Sequence, residues 1–217
     1  VITMDFEGVS IERVYHDCIK IKSDKVIYID PFEVPIDSEK ADLILLTHEH
    51  FDHCSPADIS KVSTNQTIVL TVPDSQSKIS NIDLKEVVLI EPGKKVKVLG
   101  MLIEAVPAYN IDKWRSPGIP YHPKDNEMVG YVINIGGKRI YHAGDTDKIP
   151  EMAELENIDV ALLPVSGKYV MTAVEAAEAC ALIKPRLAIP MHYGAIVGTS
   201  ADAEIFKQRA SCDVRII

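Results

Sequence analysis

The sequence predicts an α/β fold in which two sheets pack face to face with helices on the outside. Three observations lead there. The opening residues alternate in the manner of half-buried strands, as in Ile11, Arg13 and Tyr15. Short, continuous apolar runs at 42–47 and 159–165 have the length and composition of strands buried on both faces. The stretch DLILLTHEHFDHCSPADI is also laid out like DVALLPVSGKYVMTAVEA. Each hands a buried strand through a loop to a helix, so the chain reads as one domain over 1–217 made of two similar halves.

The elements follow in order. Strands are expected at 18–22, 26–30 and 42–47. Ser55, Pro56 and Asp58 then supply an N-cap, a first-turn proline and a first-turn acid, so a helix starts there. Strands resume at 67–72, 86–90, 96–106 and 128–135, and Gly136-Gly137 turns the chain into 139–143. Thr172-x-x-Glu175 is a capping box that opens a helix over 173–183. A strand at 186–191 and a helix at 201–210 close the list. The segment 110–126, with several prolines, Trp114 and Arg115, has little periodicity and reads as a loop over a pocket.

Composition bounds the function. The 217 residues are 47% apolar and 25% charged, with a formal net charge of −9. Such an acidic chain is not expected to carry a broad nucleic-acid or anionic-membrane surface. No stretch combines a basic start with an apolar core as a signal peptide does, and no apolar run approaches the roughly 20 residues that cross a bilayer. The four cysteines have no C-x-x-C spacing and read as free thiols of a cytoplasmic protein. Cys54 is either a metal ligand or a small buried apolar residue. A homo-oligomer is compatible with this composition.

The chemistry lies at the ends of the strands. In Thr47-His48-Glu49-His50-Phe51-Asp52-His53, the six positions from His48 to His53 hold three of the seven histidines, with Asp52 as the carboxylate of an H-x-H-x-D-H pattern. Imidazole and carboxylate suit zinc and its neighbours in the first transition row. His48 and His50 lie two apart at a strand end and share a side, whereas Asp52 and His53 point elsewhere, so the run suits two adjacent ions. Asp145, in His142-Ala143-Gly144-Asp145-Thr146, is the expected bridge between them. His192, in Pro190-Met191-His192-Tyr193-Gly194, completes the second ion. Ligand sites in α/β folds lie beyond the carboxyl ends of strands, and four such ends here carry polar residues, which suggests a shared pocket.

H-x-H-x-D-H, then a strand-terminal G-D-T, then a late P-M-H-Y-G, resembles the metallo-β-lactamase-fold hydrolases. Tyr141-His142-Ala143-Gly144-Asp145-Thr146 is most similar to the branch holding archaeal and bacterial hydrolases and ascorbate-phosphate-lactonase-like enzymes. The resemblance spans essentially the whole chain. It implies an αββα four-layer sandwich with mixed sheets and the metals at one edge, and it places Asp30, in Ile29-Asp30-Pro31, behind the ligands. One departure stands out. The family supplies a further histidine to the first ion where this chain has Asn110, in Val106-Pro107-Ala108-Tyr109-Asn110. Either His122 serves as the ligand, or as an acid, or the first ion is weak or absent.

The expected activity is hydrolysis of a small ester, lactone or phosphoester by a metal-bound hydroxide, with one or two Zn2+ ions and with Mn2+ or Fe2+ as substitutes. Asp52 holds the second ion and orients the nucleophile or shuttles its proton. His122, Tyr109 and Tyr193 are candidates for the acid. His16 and His142 lie beside the site or are ordinary buried histidines, and Ser166-Gly167-Lys168 meets an anionic substrate or is a surface loop. A nuclease-like phosphodiesterase, a di-iron redox protein and a metal-holding sensor are the alternatives. The acidic balance disfavours the nuclease, and His50 disfavours the redox protein, whose sites carry glutamate there.

Overall fold

The computed structural model describes residues 2–217 as two compact units, the first running to Glu91 and taking in Ile217, the second spanning Pro92–Ile216. Each unit is built on one seven-stranded mixed sheet.

In the first unit, β1 (Thr3–Phe6), β2 (Val9–Tyr15), β3 (Cys18–Lys22) and β4 (Val26–Ile29) form an antiparallel meander. From β4 onward the pairing is parallel, through β5 (Leu43–Leu45), β6 (Ile68–Thr71) and β7 (Glu86–Leu89). β4, β5 and β6 are buried at every position, as their continuous apolar sequences require. Between β5 and β6 lies helix α1 (Pro56–Val62). Its N-cap is Ser55, whose hydroxyl accepts from the Asp58 N–H, and Pro56 stands at its first turn as expected. Ile59 and Val62 of α1 pack with Val26, Tyr28, Ile44, Leu46 and Val69 into one core cluster. Truncating Ile59 there would cost about 2–5 kcal/mol. Cys54 belongs to the same cluster, and burial pushes its thiol up to about 11, the behaviour of a small core residue. A short helix, α2 (Pro73–Gln76), follows β6.

The second unit repeats this order of pairings. β8 (Lys95–Val98), β9 (Met101–Pro107), β12 (Val129–Ile135) and β13 (Lys138–His142) are antiparallel neighbours. β13 then pairs in parallel with β14 (Val160–Pro164), which leads to β15 (Leu187–Met191) and β16 (Asp213–Val214). Helix α3 (Ala173–Ile183) opens on the expected capping box between Thr172 and Glu175 and packs on β14 and on α4 (Ser200–Arg209). Its buried face is mostly alanine (Ala173, Ala176, Ala177, Ala179), which lets it lie close to its neighbours.

Two expectations are corrected. The strand expected over 96–106 is a hairpin. Leu99 and Gly100 both take positive φ (51° and 82°), which folds β8 back on β9 with Val98 opposite Met101. The segment 110–126, expected to be a plain loop, carries a small hairpin of its own, β10 (Trp114–Ser116) with β11 (Ile119–Pro120), turned at Gly118. Gly130 of β12 is required by close approach. A Cβ there would lie 2.5 Å from the His142 carbonyl oxygen and 2.6 Å from that of Ala143.

Candidate functional site

In the first unit the polar residues hang from the carboxyl ends of β4 and β5. Because these strands run parallel, Asp30, just past β4, meets Thr47, just past β5. Asp30 is fully buried and takes a left-handed φ of 48°. Its Oδ1 accepts from the Thr47 N–H at 2.8 Å, and its Oδ2 accepts from the Thr47 hydroxyl at 2.6 Å and lies 2.7 Å from His53 Nδ1. These contacts fix the protons. His53 gives its Nδ1–H to the carboxylate. Thr47 spends its hydroxyl hydrogen on Asp30, so its oxygen accepts from His48 Nδ1 at 2.9 Å. Both rings therefore present Nε2 as the lone-pair nitrogen. Metal-binding histidines share this habit of donating the far N–H to a carboxylate or another oxygen.

Those lone pairs have companions. His48 Nε2 lies 3.0 Å from His50 Nδ1. Asp52 Oδ2 lies 3.7 Å from His53 Nε2 and 3.5 Å from His16 Nε2. Two donors on one tetrahedral ion, with bonds near 2.1 Å, stand roughly 3.4 Å apart. Within the unit, His48 with His50 and Asp52 with His53 thus stand at donor spacings compatible with a metal ion. His16 comes from the turn between β2 and β3, is buried, has φ 50°, and offers a nitrogen within 4.8 Å of the Asp52 and His53 donors. Asp17, which sequence reasoning passed over, offers an oxygen within 4.8 Å of a His53 donor. Its only sequence signal is a carboxylate in a turn beside a histidine.

In the second unit Asp145 follows β13 after Gly144, which takes φ 66°. Its two oxygens face different imidazoles: Oδ2 is 3.2 Å from His122 Nε2, and Oδ1 is 3.4 Å from His192 Nε2. All three side chains are buried. His192 follows β15 with φ 59°, and its Nδ1 lies 2.8 Å from the Ser166 hydroxyl at the end of β14. Ser166 is thus a ring-orienting group that the sequence offered only as a substrate contact or surface residue. His142, the last residue of β13 and three before Asp145, accepts the Gly144 N–H at Nδ1 (3.2 Å) and helps shape the turn that carries Asp145.

Asn110 does not face Asp145. Its Oδ1 accepts from the His122 N–H at 2.7 Å, and its amide donates to the Tyr169 carbonyl at 2.8 Å. Tyr109 gives its hydroxyl to Glu151 at 2.9 Å, with Lys124 4.5 Å from the ring centre, and burial raises its pKa. Tyr193 is buried directly after His192. Asp147, unremarked in the sequence although it closes the run Gly144-Asp145-Thr146-Asp147, is buried and accepts from the N–H groups of Ile111 (2.6 Å) and Asp112 (3.0 Å). A cavity of about 960 Å³ in this unit lies at the opposite ends of the parallel strands, lined among others by Arg139, Asp159, Lys184 and Arg186. Arg139 and Arg186 there are ion-paired with Glu104 and Asp159, and the cavity contains none of the donors.

Carboxylate and imidazole donors at these spacings fit a divalent transition-metal ion such as zinc. Comparison with known proteins agrees. The family model described as β-lactamase superfamily domain matches residues 10–192, and the chain belongs to that superfamily. Within it, a UPF0173 metal-dependent hydrolase of Thermoplasma acidophilum is 35% identical over 207 residues, covering 90% of this chain and 88% of that protein. Another, from Pyrococcus abyssi, is 33% identical over 227 residues, covering 96% and 95%. The chain is therefore a member of the UPF0173 metal-dependent hydrolase family. Among solved structures, a protein of Parabacteroides distasonis proposed to be a metal-dependent hydrolase superposes with a TM-score of 0.84 at 33% identity, covering 99% of this chain and 96% of that one. The metallo hydrolase Igni18 of Ignicoccus hospitalis does so with 0.75 at 25% identity, covering 96% and 94%. The fold and family read from the three motifs are thus those of the chain. Among the described residues, no helix is long and apolar enough to cross a membrane.

Proposed function

We propose that the chain hydrolyses a small ester, lactone or phosphoester with the help of two divalent ions, zinc first among the candidates and manganese or iron as substitutes. His48, His50 and His122 would serve one ion and Asp52, His53 and His192 the other, with Asp145 shared between them. The grouping follows the motif order of the family. The observation that carries it is Asp145, whose two oxygens stand 3.2 and 3.4 Å from the Nε2 atoms of two different histidines. A carboxylate with an imidazole nitrogen beside each oxygen has the donor arrangement that two ions would use. His122 then fills the role for which the family normally has a histidine at position 110.

Divalent ions held there would lower the pKa of water from 15.7 towards ~7 and take up negative charge developing on the attacked group. The chain's own part is orientation. Asp30 and Thr47 hold the rings of His53 and His48 with Nε2 available, and Ser166 holds His192. Asp52 stands beside His53 as a carboxylate able to accept a proton from the nucleophile. His16, 3.5 Å from Asp52, is placed to steady that carboxylate. His142 shapes the turn that carries Asp145.

Metal analysis of the purified protein, followed by a hydrolysis screen across esters, lactones and phosphoesters with added zinc, manganese or iron, tests the reading. Two ions per chain are expected, with turnover abolished in Asp145→Ala and His192→Ala. Asp145→Ala with full metal content and full rate would refute it.

A further inference from the structure

We propose that Asn110 is a positioning residue that fixes the tautomer of His122, holding the proton on Nδ1 and leaving Nε2 as the lone-pair nitrogen beside Asp145. The inference rests on the reading of His122 as a metal ligand, and gives position 110 a task of its own instead of treating it as a ligand lost.

The amide of Asn110 is used on both sides. Its oxygen accepts from the His122 N–H at 2.7 Å and lies 3.1 Å from His122 Nδ1. Its nitrogen donates to the Tyr169 carbonyl at 2.8 Å and to Asp147 Oδ1 at 3.3 Å. Turning the amide over would set its NH2 against the His122 N–H and its oxygen against two acceptors, so the network settles the orientation. His122 Nδ1 in turn faces two oxygens, Asn110 Oδ1 and the Tyr169 carbonyl at 3.2 Å. Neither can donate, so only a protonated Nδ1 suits the pocket. In the neutral ring Nε2 is then the acceptor, and it points at Asp145 Oδ2, 3.2 Å away. A lone pair set against a carboxylate oxygen is repulsive by itself and favourable when both bind one cation.

The same residue ties the segment shut. The Asn110 N–H donates to the His122 carbonyl at 2.8 Å, so backbone and side chain together clamp the two ends of the excursion that carries β10 and β11. Asp147 anchors the other side, gathering the N–H groups of Ile111 and Asp112. A histidine at 110 could not take over these contacts. Imidazole has no oxygen to accept from two donors and lacks a pair of N–H groups for Tyr169 and Asp147 while remaining neutral. Asparagine supplies one double acceptor and two donors, and all are used.

The test reads the His122 ring by long-range proton–nitrogen NMR in the metal-free protein, together with zinc affinity by chelator competition. The wild-type ring is expected to carry a proton on Nδ1, with or without a second one on Nε2 beside Asp145. Asn110→Ala is expected to give mixed tautomers and a 10- to 100-fold weaker first zinc. Asn110→Asp, which keeps an accepting oxygen, is expected to retain the tautomer. Asn110→His is expected not to tighten the first zinc. A wild-type ring without a proton on Nδ1 overturns the proposal without any variant. Wild-type tautomer and wild-type zinc affinity in Asn110→Ala would overturn it too, as would a tighter first zinc in Asn110→His. His122→Ala separates the two readings. If it leaves the affinity for both ions unchanged, His122 is no ligand and the metal assignment fails, whatever the ring NMR shows for Asn110.

Discussion

Replacing Asp30 by asparagine changes one atom and should reverse the polarity of a small proton network. Three donors converge on this carboxylate: the Thr47 N–H, the Thr47 hydroxyl and His53 Nδ1, at 2.8, 2.6 and 2.7 Å. An amide offers one oxygen for them and brings an NH2 of its own. If the oxygen keeps the Thr47 N–H, the NH2 faces His53 Nδ1, and the ring is relieved by moving its proton to Nε2. That is the nitrogen proposed to bind metal. Hydrogen bonds to a charged group contribute about 1.5–3 kcal/mol each, and partial re-pairing leaves an expected loss of about 2–4 kcal/mol in unfolding free energy. Disturbing a group that orients a ligand lowers metal affinity by about 10- to 100-fold. Urea unfolding of the metal-free protein reads the first number, and chelator competition for zinc reads the second. Asp30→Ala is the control: it loses all three acceptor contacts but presents no donor to His53, so its zinc affinity should fall no further than that of Asp30→Asn. A variant that unfolds more easily yet binds zinc within twofold of wild type would refute the tautomer argument and leave Asp30 a purely structural residue.

Two further perturbations follow from the geometry. Gly130→Ala puts a Cβ 2.5 Å from the His142 carbonyl oxygen, a backbone atom that cannot swing aside, so β13 must shift where it delivers Asp145. Unfolding free energy is expected to fall by about 1–3 kcal/mol, measured by urea titration, with zinc affinity falling alongside. Asp58 accepts from the Val34 N–H, the Ser55 hydroxyl and Lys61 Nζ at 3.0, 2.7 and 2.8 Å. Burial alone would raise its pKa, but Lys61, Ser55 and the Val34 N–H together hold it below the usual carboxylate value. A carboxyl depressed in the folded state adds stability above its unfolded pKa of about 3.9 and loses it as the pH falls through the folded value. Asp58→Asn should therefore cost about 1–2 kcal/mol at neutral pH. The cost should shrink to nothing in acid, as thermal unfolding across a pH series would show.

What the sequence disclosed was local. The buried strands β5, β14 and β15 were legible because a parallel strand covered on both faces is apolar at every position. The starts of α1 and α3 were legible because Ser55, Pro56, Thr172 and Glu175 satisfy the first N–H groups of those helices themselves. The proximity of His48 to His50 followed from two-residue spacing at a strand end, and that of Asp52 to His53 from their adjacency where the chain turns into α1. The Leu99–Gly100 turn was missed because Leu99 is an unfavourable residue for positive φ, so its apolar character read as continuing strand. Asp17 and Asp147 carried no periodicity or motif. Their roles depend on which N–H groups and rings the folded chain brings to them. Asn110 was misleading for a related reason: a motif records which residue type is absent from a position, whereas its partners at Tyr169 and Asp147 lie 59 and 37 residues away in the chain.

Asp30, His16 and His192 share left-handed backbone, with φ of 48°, 50° and 59°. For a residue with a side chain this conformation costs about 1–2 kcal/mol, and glycine adopts it freely. Any effort to make this protein more heat-resistant by easing backbone strain would therefore point first at these positions. Selection for stability alone and selection for turnover would pull them apart at 16 and 192, so a library screened only for survival at high temperature should enrich glycine there, and not at 30, where losing the Thr47 and His53 contacts outweighs the relieved strain, and return well-folded, inert protein.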